Sequence, residues 1–271
     1  MTQVKDITNA IERIAPLQLQ EDYDNAGFQV GDPETEVTRV LSCLDITEEV
    51  VDKAIKTGYQ LIVAHHPLIF RPIKKITPND YISRTIMKAI KSNITLYAAH
   101  TNLDNAYGGV NYRIAEKLSL NDVEILSPLP SSRLYNVENS EKCGSGVIGT
   151  LERPLTIEEF IGKVRETFHC ECLRTNAATA ETSTATFHYL NQNKLIARVA
   201  LCGGSGAEFI SDAEQKGADA YLTGEIGYHR FFGHDNILLV EAGHFETEKY
   251  TRDLLKEIIE KSFPEVEVEI G

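Results

Sequence analysis

Histidines and carboxylates recur where apolar segments of the sequence end. Two adjacent histidines follow one such segment, and two further histidines each precede a carboxylate by four positions. These residues are His65, His66, His100, Asp104, His244 and Glu248. Residues four apart share one face of a helix or tight turn, so an imidazole and a carboxylate at this spacing can bind one ion. Imidazole and carboxylate without thiolate favour Zn, Fe, Mn or Ni over Ca or Mg.

Each of these features also has a simpler explanation when taken alone. Neighbouring side chains of a flat strand point to opposite faces, so His65 and His66 share an ion only if the chain turns sharply, or else each binds a different ion. A single histidine four positions before a carboxylate is also typical of a capped or salt-bridged helix start. Open α/β sheets carry their sites at strand ends, so three such features at strand ends favour a metal centre.

Weaker signals surround these residues. Glu225 and His229, four apart after a predicted strand, could orient a ligand or transfer protons, although a helix-surface pair explains them equally well. The glycine cluster 202–206 could cradle a phosphate at a helix N-terminus. The acidic stretch 21–24 fits an exposed turn better than a pocket. Cys170 and Cys172 have no second cysteine pair nearby, which argues against a structural zinc site.

The elements around these residues alternate between strand and helix, which predicts an α/β fold. Val4, Ile7, Ile11 and Ile14 recur at helical spacing and predict a first helix. Further helices are predicted at 48–56, about 80–91, 111–118, 156–168 and 247–261, and strands at 37–45, 60–64, 94–100, 195–204, 219–225 and 236–243. Thr47, and the pair Thr156 and Glu159, are typical helix caps. The segment 175–190 predicts a strand pair or a loop.

The loop-forming segment 127–146 separates two similar α/β units, 1–127 and 128–271. The first unit carries the HHP and HTNLD segments, and the second carries HFETE. Cys43 lies fifteen residues before Gly58, and Cys202 lies fifteen before Gly217. This matched spacing indicates either an internal duplication or a shared α/β rhythm.

Composition excludes several classes of protein. A formal net charge of −13 disfavours general nucleic-acid binding, although Arg71, Lys74 and Lys75 form a local basic patch. Five cysteines without paired spacing predict reduced thiols and a cytoplasmic location. The N-terminal segment lacks the apolar core of a signal peptide, and the sequence has no run of about 18 apolar residues that would predict a membrane span.

The sequence resembles the NGG1-interacting-factor-like family, dinuclear-metal proteins that include GTP cyclohydrolase I type 2 homologues. The segments that carry the resemblance are DNAGFQVGDP from Asp24, CLDIT from Cys43, AHHPLIF from Ala64, AAHTNLDNAYGGVN from Ala98, LTGEIGYH from Leu222 and EAGHFETE from Glu241. The family usually has a bulkier aliphatic residue where Ala26 stands, a difference that affects packing rather than metal chemistry.

The resemblance implies a ligand set and an assembly. It places His65, His66, Asp104, His244 and Glu248 at the metal ligands, with His100 either a ligand or a group that orients one. It implies two divalent ions per subunit, Zn, Fe or Mn, held between two α/β units with mixed, largely parallel sheets flanked by helices. It also implies a ring-shaped homohexamer with inward-facing sites, which would admit small substrates.

The resemblance also implies an activity. Two ions that activate a bridging water would make the protein a metal-dependent hydrolase, and the GTP cyclohydrolase version would open the guanine imidazole ring, with Glu225 or His229 moving protons. The alternative is a non-catalytic scaffold or metal-insertion factor that acts through a protein partner. A nucleic-acid-binding module is the third possibility, and the acidic balance argues against it.

Overall fold

The chain forms two compact units in a computed structural model that describes residues 1–177 and 194–271. The first unit comprises residues 1–109 and 250–271, and the second comprises residues 110–249. This grouping differs from the predicted division at residue 127, because the last elements of the chain belong to the first unit. Most of the segment 175–190, predicted as a strand pair or a loop, lies outside the described residues.

Helices and strands alternate along much of the described chain, as predicted. The helices are α1 (Val4–Ile14), α2 (Glu48–Thr57), α3 (Tyr81–Lys91), α4 (Thr101–Asp104), α5 (Val110–Lys117), α6 (Ile157–Phe168), α7 (Ile210–Gln215), α8 (His244–Glu248) and α9 (Thr251–Ser262). The strands are β1 (Gly27–Val30), β2 (Arg39–Cys43), β3 (Leu61–Ala64), β4 (Thr95–Ala98), β5 (Asn121–Pro128), β6 (Gly144–Thr156), β7 (Arg174–Thr175), β8 (Leu195–Cys202), β9 (Ala220–Thr223), β10 (Leu238–Glu241) and β11 (Glu267–Ile270).

The sheet of the first unit has the strand order β1-β4-β3-β2-β11. Its pairs are parallel except for β1 on β4. Strands β3 and β4 are buried at every position, which explains the continuous apolar sequence of β3. Helices α2 and α3 pack over one face, around a core that includes Leu41, Ile62 and Ile86.

The sheet of the second unit has the order β5-β6-β8-β9-β10-β7 and is mixed. Strands β5, β6 and β8 pair antiparallel, whereas β8, β9 and β10 pair parallel. Its core includes Ile148, Tyr221 and Leu239. The predicted fold class, two α/β units with mixed sheets flanked by helices, is therefore confirmed.

The two sheets share a repeated arrangement of strands. Strands β2, β3 and β4 lie side by side in parallel, and so do β8, β9 and β10. Cys43 pairs with Ala64 where β2 and β3 end, and Cys202 pairs with Thr223 where β8 and β9 end. An antiparallel strand then covers the outer edge of each set, β1 on β4 and β7 on β10. The matched spacing in the sequence thus corresponds to matched register, which favours duplication over chance.

Local signals place several helix ends as predicted. Thr47 accepts a hydrogen bond from the Val50 amide at the start of α2. At the start of α6, Thr156 accepts from the Glu159 amide while the Glu159 carboxylate accepts from the Thr156 amide, a complete capping box. The predicted helix 247–261 is instead divided into α8 and α9. Among the described residues, no helix has both the length and the apolar character that crossing a membrane requires.

Candidate metal centre

His65 is held at the end of β3 in one tautomer. Its side chain is fully buried, and its Nδ1 lies 2.8 Å from the carbonyl oxygen of Ala99. Because a carbonyl oxygen can only accept, Nδ1 carries the proton, which leaves the lone pair on Nε2. A neutral imidazole whose Nδ1 donates to a fixed acceptor is the usual form of a metal-binding histidine.

His66 is oriented in the same way by a carboxylate. Its Nδ1 lies 2.8 Å from Oδ1 of Asp45, a residue that sequence reasoning did not select. The chain bends directly after β3, and the His65 and His66 amides donate to the Cys43 and Leu44 carbonyls. Neighbouring side chains of a flat strand point to opposite faces, but this bend brings the two rings together, with their centroids only 4.9 Å apart.

His100 follows β4 and is oriented by Asp24, whose side chain is fully buried. The His100 Nδ1 lies 2.7 Å from Asp24 Oδ1, and both the amide and the hydroxyl of Thr101 donate to the same carboxylate. Burial alone would raise the pKa of Asp24, but the hydrogen bond and charge of His100, with the bonds from Thr101 and Asn25, hold it below its ordinary value. The interpretation of Asp24 as part of an exposed turn was therefore wrong.

The three imidazoles form one cluster in the first unit. Each of His65, His66 and His100 offers one ring nitrogen, and these nitrogens lie within 4.8 Å of one another. Asp104, at the end of α4, brings a carboxylate to the same cluster, with Oδ1 3.6 Å from His65 Nε2. The side chain of Asp104 is mostly buried, with 21% of its surface exposed.

His244 and Glu248 form a corresponding pair in the second unit. They lie at the two ends of α8, so the spacing of four places both on one face, with His244 Nε2 3.0 Å from Glu248 Oε2. The other ring nitrogen, Nδ1, lies 3.0 Å from Oε1 of Glu225. Glu225 therefore orients His244 in the way that Asp45 and Asp24 orient His66 and His100.

The separations of these atoms fit coordination of a cation. Two ligand atoms each about 2.1 Å from one ion, at bond angles of about 90–110°, are about 3.0–3.4 Å apart. The imidazole-to-carboxylate separations of 3.6 Å in the first unit and 3.0 Å in the second fall close to this range. The donor chemistry and these separations are thus those of residues that could hold a metal ion.

The glycine cluster 202–206 serves a different purpose from the phosphate cradle considered above. The amides of Gly203, Gly204 and Gly206 donate to the side chains of Asn111, Thr247 and Thr223 respectively. Gly204 also lies so close to Glu248 and His244 that a side-chain carbon at this position would collide with the Glu248 carboxylate. The cluster therefore packs beneath the His244–Glu248 pair, with these amides already bonded.

The other predicted site residues lie outside these contacts. His229 is exposed on the 3₁₀ turn Tyr228–Phe231, where its ring packs against Tyr228 and Phe232. The basic residues Arg71, Lys74 and Lys75 are exposed on the segment between β3 and α3. In the described first unit, the Nδ1 atoms of the three histidines are hydrogen-bonded to Ala99, Asp45 and Asp24, and not to these basic side chains.

The cysteines lie outside the candidate centre, and their burial predicts how many of them react with a thiol reagent. Cys172 is exposed, whereas the other four are buried; burial raises the pKa of Cys170 to about 11 and also raises that of Cys43. Because the thiolate is the reactive form, we expect one fast-reacting thiol per chain with a disulfide reagent at about pH 8, and five after denaturation. Cys172→Ser should abolish the fast phase. Two or more fast thiols would contradict this burial pattern.

Comparisons with known proteins identify the family. The model of the Duf34/NIF3 (NGG1p interacting factor 3) family matches residues 2–271. A "GTP cyclohydrolase 1 type 2 homolog" of Clostridium acetobutylicum is 34% identical over 247 residues, covering 90% of this chain and 85% of that protein. The protein of the same name from Clostridium perfringens is 35% identical over 247 residues, covering 90% and 86%.

Solved structures agree with this assignment. A Bacillus cereus protein related to NIF3 superposes with a TM-score of 0.84 at 26% identity, covering 100% of this chain and 96% of that chain. Reduced HcgD from Methanocaldococcus jannaschii superposes with a TM-score of 0.77 at 26% identity, covering 99% and 97%. The chain therefore belongs to the Duf34/NIF3 (NGG1p interacting factor 3) family.

Proposed function

We propose that this protein is a metal-dependent hydrolase that holds two divalent ions per subunit. The observation that carries the proposal is the shared orientation of four imidazoles. His65, His66, His100 and His244 each place Nδ1 against an oxygen acceptor, a carbonyl for the first and a carboxylate for the others. Metal-binding histidines almost always donate their other ring N–H to a carboxylate or a carbonyl, so four histidines with this arrangement favour Nε2 as the metal ligand in each.

The proposal assigns the ligands to both units of the chain. The first unit supplies His65, His66 and Asp104, with His100 as a further imidazole, and the second supplies His244 and Glu248. Each unit supplies one carboxylate, Asp104 in the first and Glu248 in the second, to the ligand set that the family resemblance assigns to two divalent ions. This assignment follows the family resemblance and is supported by the matching donor chemistry in each unit.

The bound ions would supply Lewis acidity and activate water at neutral pH. The protein would contribute orientation: Asp45, Asp24 and Glu225 hold three imidazoles through their Nδ1 atoms. Glu225 is hydrogen-bonded to His244, so its direct role is to orient that ring. We therefore propose His229, rather than Glu225, for proton transfer. His66 also lines a cavity of about 430 Å³, a volume suited to a small molecule.

The substrate class follows from the relatives named as GTP cyclohydrolase 1 type 2 homologues. For GTP, one water would add at C8 of the guanine imidazole ring and the ring would open to a formamide; a second water would hydrolyse this formamide, and formate would leave. The cavity beside His66 contains Asp45, Glu48 and Glu49 and no lysine or arginine among its lining residues. This lining favours a neutral or weakly charged group near His66 over a triphosphate, so smaller amides and heterocycles belong in the same test.

Elemental analysis of protein purified without added metal tests the proposal before any substrate is known. We expect about two divalent ions per chain, which a chelator removes. Metal-free protein reloaded with Zn, Mn or Fe should hydrolyse at least one member of a panel of GTP, phosphoesters, cyclic amides and purines, with no activity before reloading. Tight metal binding without turnover on the whole panel would instead favour the scaffold or metal-insertion alternative.

The assembly and location belong to the same proposal. The homohexameric ring is proposed from the family resemblance. The cytoplasmic location is proposed from five cysteines without a disulfide. Light scattering of the metal-loaded protein would measure the assembly. A monomer at micromolar concentration would contradict the ring.

A further inference from the structure

Two exposed aromatic side chains lie beside His100. Tyr23 is 63% exposed and Phe70 is 43% exposed, and their ring centroids are 6.3 Å apart in an edge-to-face arrangement. The Phe70 ring lies 6.1 Å from the His100 ring, also edge to face. An aromatic pair thus borders the imidazole cluster on the side of His100, in contact with solvent.

The chain holds this pair in place from both sides. Asp24, next to Tyr23, accepts hydrogen bonds from His100 and Thr101. Asn25 donates through Nδ2 to the Ile69 carbonyl at 2.6 Å, directly before Phe70.

The Ile69 backbone is fixed by a second side chain as well. Its amide donates to Gln29 Oε1 at 3.0 Å, and Gln29 Nε2 donates to the Asn25 carbonyl at 2.7 Å. Residues 23–29 and 69–70 therefore form one hydrogen-bonded unit around His100. Such bonding orders the backbone from which the two aromatic side chains project, and it reduces the entropy lost when a ligand packs against them.

We infer that Tyr23 and Phe70 form a platform that binds the planar, unsaturated ring of the substrate next to His100. An aromatic ring packed on an aromatic pair gains more than its buried area alone would give, because the ring quadrupoles favour offset or edge-to-face contact. The segment DNAGFQVGDP, which the ligand set does not explain, would then serve to place this platform. The inference rests on the proposed metal centre and adds the specificity of the same site.

A pair of metal-chelating probes tests the platform without knowledge of the substrate. Benzohydroxamic acid and cyclohexanecarbohydroxamic acid share the chelating group and differ in the ring, which is planar and aromatic in the first and saturated in the second. Titration calorimetry with the metal-loaded protein should show about threefold to tenfold tighter binding of the aromatic probe. Phe70→Leu and Tyr23→Leu should each reduce this preference, and the double variant should abolish it while both probes still bind.

Matched variants distinguish the loss of the aromatic platform from a general change in structure caused by substitution. Phe70→Tyr should keep the preference, and so should Tyr135→Leu, which removes a tyrosine that is 75% exposed in the second unit. Equal affinities for the two probes in the unaltered protein, or a preference that survives the double variant, would overturn the inference alone. Failure of both probes to bind metal-loaded protein would overturn the platform, whereas failure of the protein to take up metal would overturn the metal centre on which the platform rests.

Discussion

Replacing His65 and His244 together with alanine is expected to remove the bound metal while the fold survives. Loss of groups that merely orient a ligand already weakens metal binding by about 10–100-fold, so the loss of two direct ligands should exceed about 100-fold. The Ala99 carbonyl loses its partner at His65, which should lower the free energy of unfolding by about 1–3 kcal/mol. Elemental analysis and thermal unfolding of the same preparation measure both effects.

A histidine outside the candidate ligands provides the control. His169 is exposed at the C-terminus of α6, in the left-handed conformation that asparagine also adopts readily. His169→Asn should keep full metal content and near-normal stability. If the double variant retained two ions per chain, the proposed ligand set would be wrong.

Gly204→Ala is expected to weaken metal binding through the second unit without altering any ligand. Gly204 has φ of +61°, and a methyl group there would collide with the Glu248 carboxylate and lie 3.2 Å from His244 Nε2. The carboxylate must move away from the imidazole, so we expect affinity to fall by about 10–100-fold, as for other displaced ligands. Competition with a metal-chelating dye would measure the change.

Gly217→Ala separates this collision from backbone strain. Gly217 has φ of +70°, and an added methyl group would have no atom within 4 Å. Both variants place alanine in the left-handed region, which should cost roughly 1–2 kcal/mol of stability in each. Only Gly204→Ala should lose metal. Equal metal affinity in the two variants would show that Gly204 has no special role beside Glu248.

The parts of the fold that carry local signals could be predicted from the sequence. The buried strand β3 is a continuous apolar segment, and α2 begins after its cap Thr47 as expected. Strand β11 has no comparable signal. It pairs in parallel with β2, more than 220 residues earlier in the chain, and its charged residues alternate on a short strand at the sheet edge. Long-range pairing of this kind decides the unit to which the chain end belongs.

The candidate site shows the same division between local and distant information. Spacing predicted the imidazoles and the carboxylates Asp104 and Glu248 as candidate ligands, because i to i+4 pairs and strand ends are local patterns. Sequence spacing did not predict Asp24 or Asp45 as part of the site. Their importance depends on contacts with His100, 76 residues from Asp24, and with His66, 21 residues from Asp45. The sequence DNAGFQVGDP signalled only that this segment matters, without showing which side chain it holds.

The order of the units along the chain has a consequence for synthesis on the ribosome. Residues 110–249 are contiguous and are all synthesised before the first unit is complete, because the sheet of the first unit lacks its edge strand β11 until residues 267–270 have been made. Until then β2 has an open edge with unsatisfied amides and carbonyls, a surface prone to wrong pairing. The nascent chain thus depends on residues 267–270 to complete a sheet whose other four strands, β1 to β4, have all been made by residue 98.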